Sequence, residues 1–114
     1  MVRRYVPDAG DIVWLNFDPQ AGREQAGHRP ALVVSSILYN ERSGLAIFCP
    51  ITSKVKGYPF EVIVPAGLKI GGAILSDHVK SFDWVARKAG YVDTVPAQTL
   101  EAVQDRLIEL LGLR

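Results

Sequence analysis

The sequence predicts an α+β domain, mainly β: a small, strongly curved SH3-like sheet or barrel with one C-terminal amphipathic helix packed on it. Three observations predict it. Short apolar runs rich in β-branched and aromatic residues recur between residues 12 and 85, each closed by Gly, Pro or polar turn chemistry. Helical periodicity is confined to the last stretch of chain. The 114 residues fit a single domain, 1–114, with no repeat, linker or low-complexity tract, and can bury a modest core without disulfide or metal staples.

The first run, residues 12–17 (IVWLNF), is a strand that stops at Asp18-Pro19, and a polar stretch containing glycines, residues 20–29, follows it. Pro30 opens residues 31–38 (ALVVSSIL), too uniformly apolar to alternate and therefore expected as a strand buried on both faces. Residues 40–44 (NERSG) read as a turn into a third buried strand, 45–51 (LAIFCPI). A basic loop, 52–59 (TSKVKGYP), leads to a partly alternating fourth strand, 60–64 (FEVIV). Residues 73–75 and 82–85, with the segment around Val79, supply further strands, and the glycines leave little room for a helix before residue 96. Then the pattern changes. Leu100, Val103, Leu107 and Leu110 recur at three- and four-residue spacing, Ile108 and Leu111 widen the stripe, and Gln98, Glu101, Asp105 and Glu109 take the opposite face. Pro96 suits the first helical turn and Gly112 the stop.

Composition narrows the class. Apolar residues make up 48 % of the chain and charged residues 22 %, which excludes general disorder. Cys49 is the single cysteine and lies in an apolar run, so a disulfide-built secreted domain is excluded and the thiol reads as buried and inert. The N-terminal stretch has no apolar core of a signal peptide, and residues 31–38 are too few to span a bilayer; a soluble, cytoplasmic protein without membrane contact is expected. A net charge of +1 argues against a strong sequence-blind nucleic-acid binder. Its distribution is uneven. Residues 54–88 carry Lys54, Lys56, Lys69, Lys80, Arg87 and Lys88 against three acidic residues, while 89–114 carry two basic residues against four acidic ones. A mild cationic belt precedes an anionic tail, a pattern that fits a polyanion groove or an ordinary solvated surface.

No pair or triplet of His and Cys has metal-ligand spacing, and no glycine motif leads into a phosphate-binding helix, so neither metal nor cofactor is expected. Three segments could carry chemistry. Residues 23–29 gather Arg23, Glu24, Gln25, His28 and Arg29 beside Ala26 and Gly27, a set that suits an oxyanion or an exposed loop with internal salt bridges. Thr52 and Ser53 bring two hydroxyls to the end of a buried strand, a place where sites form and where hydroxyls also simply tie up backbone. Asp77-His78-Val79-Lys80-Ser81 alternates at strand spacing, which would put His78 and Lys80 on one face. Trp14, Phe17, Tyr58 and Trp84 lie near basic loops and could stack bases, or fill the core.

Taken together, five stretches resemble the MazF/PemK family of toxin endoribonucleases in order and spacing: RYVPDAGDIVWLNFDP, EQAGHRPALVVS, PITS, KGYPFEV and DHVKS. The resemblance covers essentially the whole chain. It implies a homodimer of small barrels, active without cofactor, that cuts single-stranded RNA at a short fixed sequence and leaves a 2′,3′-cyclic phosphate and a 5′-hydroxyl. Family members nearest by motif cut at ACA. The resemblance also implies a cognate MazE-like antitoxin whose acidic segment folds across the RNA groove.

In the family, the arginine of the R-P motif and the hydroxyl of P-I-T carry catalysis, which map here to Arg29 and Thr52. Arg29 would hold the phosphorane charge and Thr52 would donate to a phosphate oxygen. Glu24 is the expected base and His28 the expected acid. Ser53, Lys54, Lys56, Asp77, His78 and Lys80 would hold the strand, with Phe17 or Tyr58 as stacking platforms. Related chains commonly carry Gln where this one has His78, which bears on the target sequence and not on the reaction type. Two other readings of the same fold remain open: a CcdB-like toxin that poisons gyrase without cutting anything, and a non-catalytic nucleic-acid-binding module.

Overall fold

The computed structural model describes residues 4–18 and 27–113. Its strands are β1 (Asp11–Asn16), β2 (His28–Val33), β3 (Leu45–Thr52), β4 (Glu61–Ile63), β5 (Ala73–Leu75), β6 (Lys80–Asp83) and β7 (Gly90–Thr94), with helices α1 (Ile37–Ser43) and α2 (Ala97–Leu110). The strands form one antiparallel sheet in the order β4-β5-β3-β2-β1-β7, and β6 pairs with β3 alongside β5. Among the described residues β4 and β7 end the path without pairing to each other, so the domain is a strongly curved open sheet and not a closed barrel.

The uniformly apolar runs have a physical reason: the sheet is buried on both faces. Ile12, Leu32, Cys49, Ile51, Val62, Val64 and Ile74 gather on one face, covered by α2 through Val103. Val13, Leu15, Phe17, Ala31, Val33, Ala46, Phe48, Phe82 and Trp84 gather on the other. Successive residues of β1 to β3 point to opposite faces, and along the middle of these strands both faces meet a core. Each large apolar side chain so buried contributes about 1.5–3 kcal/mol. Helix α2 follows the sequence expectation: Pro96 is its N-cap, and Gly112 at φ +67° turns the chain after it. The Gly112 amide donates to the Glu109 carbonyl at 3.1 Å and the Leu113 amide to Ile108 at 3.0 Å, satisfying the last carbonyls.

Two expectations are corrected. The run at 31–38 does not continue as a strand: β2 ends at Val33, and residues expected partly as strand and partly as turn form α1. Ser36 caps α1 by accepting from the Tyr39 amide, and Gly44 at φ +74° closes it. Buried Asn40 anchors the helix by donating to the carbonyls of Pro7 (2.8 Å) and Ser35 (3.0 Å), while its own carbonyl accepts from the Trp84 indole at 2.8 Å. The segment at 77–81 is not one strand either. Residues Ser76–His78 make a 3-10 turn before β6, so strand spacing does not put His78 and Lys80 on a common face. No described helix is long and apolar enough to cross a membrane.

Candidate active site

The β2–β3 ladder runs Val33↔Phe48, Leu32↔Cys49, Ala31↔Pro50 and gives no further pair among the described residues. Beyond it β3 turns to β5, pairing Ile51 with Ile74 and Thr52 with Ala73. Arg29 and Thr52 each lie two residues past Ala31↔Pro50, at the same end of the ladder. Two concavities flank this end of the sheet. One, of about 680 Å3, is lined by Thr52, Lys54, Lys56, Tyr58, Glu61, Leu75, Asp77 and His78. Its neighbour, of about 430 Å3, takes Arg29 and Ser53 into its wall, with Trp14, His28, Lys69 and Gly71.

The Thr52 cavity is built on a strap without regular structure, residues 53–58. Thr52 is buried, and its hydroxyl oxygen accepts from the Lys54 amide at 3.1 Å, which leaves the hydroxyl hydrogen to donate elsewhere. Gly72, at φ +120°, lies directly behind: a Cβ there would collide with the Thr52 carbonyl oxygen and come within 3.0 Å of its carbonyl carbon. Only glycine lets the chain before β5 approach the end of β3 this closely. Glu61 at the start of β4 is buried, at 7 % exposure, and its carboxylate accepts from the amides of Lys56 (3.1 and 3.2 Å) and Gly57 (2.7 Å). Across the cavity the Tyr58 hydroxyl donates to Asp77 at 2.5 Å. Desolvation, with the hydrogen bond to Asp77 and the charges of Asp77 and Glu61, pushes the Tyr58 phenol up to about 12. It therefore stays protonated, a donor and not a base.

The Arg29 cavity rests on ladder geometry. Arg29 pairs with Leu15 and His28 with Asn16 across β1. The His28 ring stacks on Trp14, centroids 5.2 Å apart and planes 22° from parallel. At the base of the connection leading to β2, the Phe17 amide donates to the Gly27 carbonyl at 2.9 Å and the Gly27 amide to Asp18 at 2.8 Å. Arg87 reinforces that base by donating to the carbonyls of Asn16 and Asp18. The opposite wall is pinned by Asp93, whose carboxylate accepts from the amides of Lys69 (3.0 Å) and Thr94 (2.9 Å). These backbone bonds hold the Asp93 carboxyl below the ordinary carboxylate range.

Most residues singled out from the sequence thus line the two adjoining cavities: Thr52, Lys54, Lys56, Tyr58, Asp77 and His78 in one, His28, Arg29 and Ser53 in the other. Arg29 and Thr52 do not share a single pocket: Arg29 lines one cavity and Thr52 the other. Glu24 lies outside the described residues. Phe17 is a correction. Its ring is buried at 5 % exposure, edge-on to Phe82 at 5.3 Å, which leaves no open face for a base. Lys80 stands over the Phe82 ring, 5.6 Å from its centroid, and lines neither cavity. Sequence reasoning missed Glu61 and Asp93, both of which act through backbone amides. For Glu61 the available signal was a Lys-Gly pair four and five residues upstream, in a turn whose amides need an acceptor.

A protein-family model described as the PemK-like, MazF-like toxin of type II toxin–antitoxin systems matches residues 8–111. The chain belongs to this family. It is 46 % identical over 112 residues to the endoribonuclease toxin MazF of Escherichia coli K12, covering 98 % of this chain and all of that one. A MazF crystal structure from Deinococcus radiodurans superposes with a TM-score of 0.93 at 54 % identity, covering 96 % of this chain and 99 % of the other. A MazE–MazF complex from the same organism gives 0.85 at 49 % identity, covering 96 % and 98 %. The MazF-like fold is therefore common to these chains, and the two cavities sit at the strand ends of that fold.

Proposed function

We propose that this chain is the toxin of a toxin–antitoxin pair, an endoribonuclease that cleaves single-stranded RNA at a short ACA-like sequence. The observation that carries the proposal is the placement of Arg29 and Thr52 at the same end of the β2–β3 ladder, between two cavities that offer cations and aromatic or imidazole rings. A strand laid across this end puts one phosphodiester at the boundary and a nucleotide into each cavity.

The reaction is attack by the substrate's own 2′-oxygen on the adjacent phosphorus. The P–O5′ bond breaks, leaving a 2′,3′-cyclic phosphate and a 5′-hydroxyl, so neither an enzyme nucleophile nor a metal is required. The Arg29 guanidinium is permanently charged and presents a planar fork to the non-bridging oxygens of the phosphorane. The Thr52 hydroxyl, its oxygen already engaged by Lys54, donates to the same phosphate. His28 is assigned proton delivery to the departing 5′-oxygen. Glu24 is assigned the 2′-hydroxyl proton on the family resemblance alone. Lys54, Lys56 and Tyr58 hold the strand on one side, and the stacked Trp14–His28 pair with Lys69 on the other. We assign the chain two partners, a second copy as homodimer and a MazE-like antitoxin whose acidic segment competes for the cationic cavities.

The test is direct. Purified protein incubated with mixed-sequence RNA in EDTA yields discrete fragments, and replacing the single 2′-OH at a mapped site by hydrogen abolishes cutting there. Cleavage that persists at the deoxy position would refute internal attack.

A further inference from the structure

We infer that Glu61 is a positioning residue for the RNA strand: its buried carboxylate fixes the backbone of residues 53–58, so that Lys54, Lys56 and Tyr58 meet the strand in one arrangement. The inference rests on the endoribonuclease reading and gives Glu61 a role exerted through the strap that carries the lysines. Carboxylates are almost never fully buried unless paired, and Glu61 at 7 % exposure is paired with backbone alone in the described contacts, the amides of Lys56 and Gly57. Bonds from N–H groups to an ionised carboxylate are roughly twice as strong as neutral ones, and burial strengthens them further. The strap has no ladder of its own to define it. Its other fixed points are few: Thr52 holds the Lys54 amide, Asp77 holds the Tyr58 hydroxyl, and Arg106 on α2 donates to the Pro59 carbonyl at 3.0 Å.

Glu61 also closes the return of the chain. Its own amide donates to the Tyr58 carbonyl at 3.0 Å, so one residue bonds the turn at both backbone and side chain. Gly57 at φ +79° supplies the left-handed residue this turn requires. The consequence is a pair of lysines mounted on a preformed loop. Ordering a flexible loop at the moment of binding would subtract from affinity, and a strap already ordered in the free protein avoids that loss.

The experiment compares the full-length wild type with Glu61→Gln and Glu61→Ala. Three quantities are read: kcat and KM on a cleavable RNA oligonucleotide, the salt dependence of binding to its 2′-deoxy counterpart, and hydrogen exchange of residues 54–58. Glu61→Gln keeps the shape and one acceptor and should still fold if Glu61→Ala does not. The expected result for Glu61→Gln is a rise in KM of about tenfold with kcat little changed. The slope of log affinity against log salt becomes shallower, because fewer lysines are held against phosphates. Exchange at Lys56 and Gly57 quickens, and Glu61→Ala, where it folds, shows all three effects more strongly. Faster exchange with KM and salt slope unchanged would overturn the inference, reducing Glu61 to a stability role. A fall in kcat at constant KM would overturn it as well. A wild type that cuts no RNA sinks the endoribonuclease reading and takes this inference with it, an outcome separate from variants that cut like the wild type.

Discussion

The two cavities at the end of β3 have walls held by the same device in different surroundings. In each, a carboxylate accepts backbone amides of a loop that carries lysine: Glu61 for the strap with Lys54 and Lys56, Asp93 for the loop with Lys69. Glu61 is buried, whereas Asp93 stands in contact with solvent. A hydrogen bond in a low-dielectric interior is electrostatically stronger than one that competes with water. The Thr52 side is therefore the fixed jaw of the groove and the Lys69 side the compliant one.

The largest expected effect breaks that division at its centre. Arg29→Ala should lower kcat/KM by on the order of 10²–10³, with folding retained, and Arg29→Lys should recover only a part, since an ammonium lacks the bidentate fork. Single-turnover cleavage with saturating enzyme measures it. A variant that cuts within about threefold of wild type would show that Arg29 is not at the phosphate.

Next in size is the fixed jaw itself. Gly72→Ala must relieve a collision with the Thr52 carbonyl at a φ of +120° that alanine rarely adopts. We expect a loss of roughly 2–3 kcal/mol of stability, read from the denaturation midpoint. Activity should fall further than the unfolded fraction explains, because Thr52 itself is displaced. Unchanged activity in the folded fraction would detach the β3–β5 approach from function.

The smallest effect belongs to the compliant jaw. The Lys69 and Thr94 amides hold the Asp93 carboxyl below the ordinary carboxylate range. A depressed folded value means the stabilisation is full above the unfolded pKa and fades as pH falls through the folded one. Asp93→Asn should thus melt slightly lower than wild type at neutral pH, and the gap should close in acid. Melting curves across that range test it, and a gap that widens on acidification would reverse the assignment.

What the sequence made legible follows from periodicity. The proline start and glycine stop of α2 stand as expected, and Leu100, Val103 and Leu107 of its stripe pack on the core, since a helix covering one sheet face must repeat its apolar residues. Leu110 and Leu111, expected to extend the stripe, are exposed at the helix end. Helix α1 was hidden because its anchor is polar. It buries Asn40, leaves Ile37, Leu38 and Tyr39 exposed, and owes its ends to Ser36 and Gly44. Within the site, Arg29, Thr52 and the strap lysines were visible as motif positions, yet their division between two cavities depends on where the β2–β3 ladder stops, which no local pattern encodes. Glu61 was invisible for a sharper reason. An acid in an alternating strand reads as solvent-facing, and here it turns inward to meet amides that the sequence does not display.

Cys49 gives this architecture a reporter of its own. The thiol is fully buried, and desolvation, with the nearby Asp77 charge, pushes it up to about 12, so in the native state it is sealed from water and almost wholly protonated. It sits in the core directly behind the site, with its sulfur 3.9 Å from the carbonyl of Ser76, the residue preceding Asp77. A thiol reagent can reach it only when the core packed beneath α2 comes apart, and the chain has no other cysteine to react. The molecule thus carries one chemical clock, which ticks only when that core opens.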